Sequence, residues 1–388
     1  MPTTKILHIV PDHSKFLKDA LDMFDSIPGI ENECWVVRKK AAPPVNLGIA
    51  NANGVDYITF IEKCVNSVNH DIIIIHNLLS LPYNLVASIN PNITVIWFSW
   101  GMDIYDYRFP EYPLIKLKNV IKSEKIKYHL SNILNLNYYR QILSKFIRNR
   151  FRPRKGFNDA ISRIDYYSGV FPQEWEYLSL NKFFKAKQLL FNYSNPSSPF
   201  TSANLYDGLD CHRTNIQVGH SGYVFLNHKH IFRMLAKLDI RDTEKIISPL
   251  SYSASGDRYT QSVISYGKKI FGNKFEALTD FMPYNDYRNL MKSVKAAIFD
   301  IERQCAVGNC LIAIWNGAKV FFPKTSLNFK YFSGIGVKVY SIEDNLTSAE
   351  LQTELDIDTI IKNRQQLIEY WNHENIRQRL IESLNSII

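Results

Sequence analysis

The sequence predicts an α/β protein of two doubly wound, mainly parallel sheets. Three observations carry that prediction: a length of 388 residues, short continuous apolar runs, and helical spacing in the segments between them. One ordinary core serves about 100–200 residues, so a chain this long is expected to form two lobes. Apolar residues make up 46% and charged residues 21%, close to the soluble average, which supplies two cores and argues against disorder.

In chain order, the first apolar run (5–10) is too short for a signal-peptide core and is followed at once by Pro11-Asp12-His13, so it reads as a first strand. Further strands are expected at 34–38, 56–60, 71–76, 93–98, 164–170 and 188–193. Several are unbroken rather than alternating, Ile72-Ile73-Ile74-Ile75 above all, as suits strands covered by helices on both faces. Residues 194–212 turn to Ser, Asn, Pro and Gly, the composition of a linker. The first domain is therefore placed at 1–205. The alternation of strand and helix then restarts, with strands at 214–218, 245–250, 276–278, 296–299 and 319–322 and helices at 259–270 and 284–293, giving a second domain at 206–356. The tail, 357–388, has helical spacing and is expected to pack back toward the first domain.

No stretch approaches the roughly 18 unbroken apolar residues that a membrane span needs, so the chain is not expected to cross a bilayer. Its five cysteines are scattered and lack CxxC spacing, which argues against a disulfide framework and a zinc site and suits a reducing cytoplasm. No metal is expected.

The formal charge of +9 is concentrated. Residues 114–157 hold twelve Lys or Arg against one acid, Glu124, leaving the rest of the chain near neutral. Charge alternates there with large apolar side chains, the pattern of an interfacial helix whose cations meet an anionic membrane surface. A solvated helical hairpin fits the same residues. Nucleic acid is not expected, because no base-reading motif accompanies the charge.

In open α/β sheets ligands bind beyond the carboxyl ends of the strands, and three such loops are chemically loaded. Ser99-Trp100-Gly101-Met102-Asp103-Ile104-Tyr105 offers Asp103 either as a general base or as the cap of the next helix. Gly219-His220-Ser221-Gly222-Tyr223 exposes backbone N–H groups suited to a phosphate. Beyond that turn, His228 and His230 read as helix residues rather than ligands. Asp300-Ile301-Glu302-Arg303-Gln304-Cys305-Ala306-Val307-Gly308-Asn309 leads into an apolar helix whose positive end favours a diphosphate, with Arg303 adding charge and Glu302 holding sugar or ribose hydroxyls. An ordinary capped helix with a solvent-facing Glu-Arg pair fits that loop too. Lys324 either lines a base pocket or is a solvated loop lysine.

Taken together, these loops resemble the bacterial TDP-N-acetylfucosamine:lipid II N-acetylfucosaminyltransferases, the 4-alpha-L-fucosyltransferase family (glycosyltransferase family 56). The family's Trp-Gly-x-Asp-(Leu/Ile)-Tyr stretch is similar to Trp100 to Tyr105, and its Val-Gly-Asn-Ser-Gly turn to Val218 through Gly222, with His220 in place of Asn. Its Pro-x-x-Tyr segment is similar to Pro249 through Tyr252, and its Arg-Gln-x-x-x-Gly stretch to Arg303, Gln304 and Gly308. The resemblance implies a GT-B fold of two Rossmann-like domains facing a central cleft. It further implies a nucleotide-sugar donor held mainly by the second domain, no metal or other cofactor, and a polyprenyl-linked saccharide acceptor at the inner face of the cytoplasmic membrane. The expected catalytic residues are Asp103 and Arg303. The expected donor-binding set is Gly219, His220, Ser221, Gly222, Tyr252, Glu302, Gln304, Gly308, Asn309 and Lys324. A nucleotide-sugar epimerase or hydrolase on the same fold, and a non-catalytic membrane scaffold, are the rival expectations.

Overall fold

The computed structural model describes residues 3–11, 17–40, 52–105, 154–194, 196–251 and 258–388. Residues 114–153 of the basic segment and Tyr252 lie outside these. The chain divides into two compact units. The first takes the described residues through Ser198 together with Trp371–Ile388, and the second takes Pro199–Tyr370.

The first unit carries β1 (Thr4–Ile9), β2 (Ile30–Arg38), β3 (Ala52–Asp56), β4 (Ile72–His76), β5 (Thr94–Phe98), β6 (Tyr166–Ser168) and β7 (Lys187–Gln188). They form one sheet in the order β3-β2-β1-β4-β5-β6-β7, parallel throughout. Helices cover both faces, which is why Ile72 to Ile75 are all at most 2% exposed.

The second unit carries β8 (Asn215–Val218), β9 (Ile246–Pro249), β10 (Phe275–Leu278), β11 (Val294–Ile298), β12 (Lys319–Phe322) and β13 (Tyr340–Ser341). Their order is β10-β9-β8-β11-β12-β13, again parallel. In each sheet the chain winds one way and then returns to the other side of its first strand. The reversals fall between β1 and β4 and between β8 and β11. A crevice opens at such a point because the two connections leave in opposite directions.

Three local readings need correction. The run 56–60 is not a strand. β3 ends at Asp56, whose carboxylate accepts from Thr59 N at 2.8 Å and starts the helix Tyr57–Phe60. The strand expected at 188–193 stops at Gln188, with one further backbone bond from Leu189 to Tyr167. The tail is two helices, Ile357–Trp371 and His373–Asn385, because Asn372 turns its side chain onto the N–H groups of Glu374 and Asn375 and so begins a new helix. The second of these is tied to the first unit through Arg377, which donates to Ser26 Oγ and O at 2.8 and 2.7 Å.

In the second unit the helix Val307–Trp315 is buried along most of its length. Its C-terminal carbonyls are therefore cut off from water, and two buried arginines meet them. Arg213 donates to Asn316 O at 2.5 Å and Arg364 to Trp315 O at 2.7 Å. Cations at this end complement the helix dipole and leave the opposite end free for an anion.

Candidate active site

The reversal between β8 and β11 brings the glycine turn and the Arg303 loop to one edge of one sheet. Gly219 N donates to Ile298 O at 2.9 Å, and Asn227 Nδ2 lies 3.4 Å from Asp300 O. His220 Nε2 is 3.4 Å from Cys305 Sγ. The Arg303 guanidinium stacks 4.4 Å over the ring of Phe225, which itself stacks on Tyr223 at 4.9 Å.

Gly219 turns the chain at φ +69°, and a β-carbon there would stand 2.4 Å from Nε2 of His228. That histidine is fully buried, and burial pushes its pKa down to about 3, so it packs as a neutral ring. His230 pairs with Asp300 at 2.8 Å. Ser221 is also fully buried, and its Oγ has no hydrogen-bond partner among the described residues. A buried hydroxyl left in that state is open to a ligand oxygen.

Across from the turn, Ala306 takes the left-handed conformation at φ +59° just before the helix begins. Asn328, fully buried, holds that bend by accepting from Cys305 N at 3.2 Å and donating to Cys305 O at 2.7 Å. Gly308 lies exposed in the first turn with open space at its β-carbon position. Asn309 accepts from Tyr287 Oη at 2.5 Å, and that hydroxyl lies 3.3 Å from Gln217 of β8, joining the bases of the two loops. Gln304 is buried. Glu302 accepts from Thr325 Oγ1 at 2.6 Å, and partial burial raises its pKa. Lys324 is exposed and its ammonium pairs with Asp344, so the structure does not gather its charge with the others.

The structure places Asp103 within the first turn of the helix Met102–Tyr105 as a buried acceptor for groups outside that helix, neither its cap nor a solvent-facing base. It is 2% exposed, and its carboxylate accepts from Leu78 N at 2.9 Å, Trp97 Nε1 at 2.7 Å and Trp100 N at 3.1 Å. Burial pushes its pKa up against the pull of those three donors. Nearby Glu174, absent from the sequence reading, is fully buried and accepts from Tyr105 Oη at 2.6 Å and Phe171 N at 3.0 Å.

Burial raises the Glu174 pKa from 4.5 to about 7. The folded state therefore holds this proton more tightly than the unfolded chain, and stability is lost as pH rises through that window. Relative to Glu174→Gln, wild-type stability should fall by about 3 kcal/mol between pH 4.5 and 7. Urea unfolding of both proteins across that range measures it, and parallel profiles would place the carboxyl elsewhere than in a dry site.

Asn328, Gln217, Tyr287 and Glu174 carry no sequence signal apart from being polar residues among apolar ones. Two more of this kind, His8 within β1 and His76 at the end of β4, meet inside the first unit, Nδ1 to Nε2 at 2.8 Å. Among the described residues, no group of three or more His, Cys, Asp or Glu is arranged to hold a metal ion, and no helix is long and apolar enough to cross a membrane.

The model of the 4-alpha-L-fucosyltransferases, glycosyl transferase group 56, matches residues 176–377, just over half of the chain. The chain belongs to that family. It is accordingly a glycosyltransferase, and the matched region contains the glycine turn and the Arg303 loop but not the Trp100 to Tyr105 loop. The fold of this group 56 enzyme is the GT-B fold, shared with solved structures of low sequence identity. A glycosyltransferase from Rickettsia africae matches at 12% identity with TM-score 0.60, over 100% of this chain and 99% of its own. HepE from Anabaena, solved with UDP and glucose, matches at 12% with TM-score 0.58, over 99% and 100%. The N-terminal domain of the Candida albicans trehalose-6-phosphate phosphatase matches at 12% with TM-score 0.63, over 99% and 97%.

Proposed function

We propose that this family member moves a sugar from a nucleotide diphosphate donor, bound at the β8/β11 edge of the second unit, to a polyprenyl-diphosphate-linked saccharide used in bacterial surface polysaccharide synthesis. The observation that carries the donor half is the meeting of two phosphate-suited features: the turn from Gly219 to Gly222, with the unsatisfied Ser221 hydroxyl, and the Arg303 loop ahead of the helix Val307–Trp315. Backbone N–H groups and the helix end face the diphosphate, and Arg303 offsets the charge that builds on it as the sugar leaves. In this reading Gly219, His220, Ser221, Gly222, Gln304, Gly308 and Asn309 form the cradle, and Glu302 holds hydroxyls. The charge is met without a metal. The UDP and glucose bound by HepE, a protein of the same fold, support a nucleotide-sugar donor. The basic segment 114–157 supports an acceptor presented at an anionic membrane surface.

Thermal-shift screening against UDP, TDP, GDP and CMP and their sugars tests the donor half, since a ligand bound only by the folded state raises its stability, by about 2.7 kcal/mol at a hundred times Kd. One nucleotide class should protect, and its sugar should then transfer to a farnesyl-diphosphate-linked disaccharide carried in anionic vesicles, with sedimentation on those vesicles weakening at high salt. Protection by none of the nucleotides would remove the donor site. Sugar released only to water would leave hydrolysis in place of transfer, and equal sedimentation with neutral vesicles would remove the membrane.

A further inference from the structure

The helices His228–Leu235 and Arg258–Phe271 follow β8 and β9 and lie side by side on the second unit, with the Lys229 ammonium 5.8 Å from the centre of the Tyr266 ring. Each turns an apolar side inward. Ile231, Phe232 and Leu235 of the first and Tyr259 and Val263 of the second are at most 2% exposed and belong to the core of that unit. The outward sides carry charge of one sign. Together the two helices hold five Lys or Arg (Lys229, Arg233, Arg258, Lys268 and Lys269) and no Asp or Glu. Across residues 199–370 the signs nearly balance, twenty Lys or Arg against eighteen Asp or Glu, so the imbalance is local to this helix pair.

Between the helices an open groove of about 530 Å³ gathers three of these cations, Lys229, Arg258 and Lys269. Gln261, Ser262, Ser265 and Tyr266 complete its lining, so among the described residues it meets neither a carboxylate nor an aliphatic side chain. On the longer helix Arg258, Ser262, Ser265 and Lys269 recur every three or four positions and form one row, about 16 Å from end to end. Arg258, Gln261, Ser265 and Lys269 are exposed, so solvent reaches the row directly. The groove also borders the donor turn. A β-carbon on Gly219 would stand 2.4 Å from the ring of His228, the first residue of the shorter helix, and Lys229 is the next.

We infer that this groove docks the second unit on the phosphate headgroups of an anionic membrane, as a contact additional to the basic segment 114–157. The inference rests on the reading above that the acceptor is presented at a membrane, and it adds which face of the donor-binding unit meets that surface. Charge complementarity selects the partner. Ammonium and guanidinium groups with hydroxyls between them meet phosphates in many orientations. A stable protein partner is instead centred on buried apolar anchors, and the one ring in this lining is half-buried with Lys229 over it. With nothing aliphatic to insert, the contact is electrostatic, reversible and weakened by salt.

A cation near an anionic surface improves binding about fivefold. The full chain carrying Lys229→Gln, Arg258→Gln and Lys269→Gln together should therefore bind vesicles of equal parts phosphatidylglycerol and phosphatidylcholine on the order of 100-fold more weakly than wild type at low salt, with nucleotide protection retained. A folded triple variant that sediments as tightly as wild type overturns the groove and leaves the basic segment as the membrane contact. Wild-type protein that ignores these vesicles fells the membrane reading itself. Lysine acetylation read by mass spectrometry tests the same face in the wild-type protein, whatever the folding of the variant. Lys229 and Lys269 should lose reactivity severalfold on the mixed vesicles and keep it on phosphatidylcholine alone. Exposed Lys338, beside β13 at the far margin of the sheet, should keep its reactivity on both. Equal protection of the pair by inorganic pyrophosphate without vesicles would make the groove a site for a soluble anion, and unchanged reactivity on the mixed vesicles would leave it a solvated face; either result overturns the proposal.

Discussion

Alanine at position 219 is expected to abolish nucleotide protection and to cost the fold about 2–3 kcal/mol. Two causes act together. The backbone there sits at φ +69°, where a β-carbon is strained, and that carbon would come within 2.4 Å of His228 Nε2. His228 is fully buried and its Nδ1 lies 3.3 Å from Tyr259 Oη, so the ring has little room to retreat and the turn must shift instead. A shift of the turn moves His220 and Ser221 away from the Arg303 loop. Urea unfolding reads the stability term and thermal shift reads the nucleotide. A folded Gly219→Ala protein with undiminished protection would mean that the turn does not hold the donor.

The second large effect concerns Asp103. Its two carboxylate oxygens accept three N–H groups in a buried site, and an asparagine there offers one oxygen and turns an NH2 group toward at least one of those donors. Asp103→Asn is therefore expected to destabilise the first unit by about 2–4 kcal/mol. The lost order at Leu78 and Trp100 should lower turnover through positioning. A residue acting only as a proton acceptor would lose turnover with its unfolding midpoint unchanged, so stability and kcat measured on one preparation separate the two roles.

The strands were legible in the sequence where they are buried on both faces, because an unbroken apolar run such as Ile72 to Ile75 admits few other readings. Legibility failed at sheet edges. At 56–60 a capping aspartate outweighed apolar composition, and β13, two residues long at the margin of its sheet, carries no periodic signal. The donor-side loops were found because glycine turns and helix starts leave local marks. Their supports were not, since Asn328 acts on Cys305 from 23 positions away. His8 and His76 lie 68 positions apart, and nothing local announces that they touch.

By itself the sequence determined the fold class, the family resemblance and the residues of the glycine turn and the Arg303 loop, because each is written in contiguous side chains and their spacing. Tertiary structure alone decided that these two loops share an edge, that Asp103 is enclosed by three donors, and that His8 and His76 meet inside the first unit. Strand order, burial and hydrogen-bond direction arise between segments distant in the chain, so no local pattern records them.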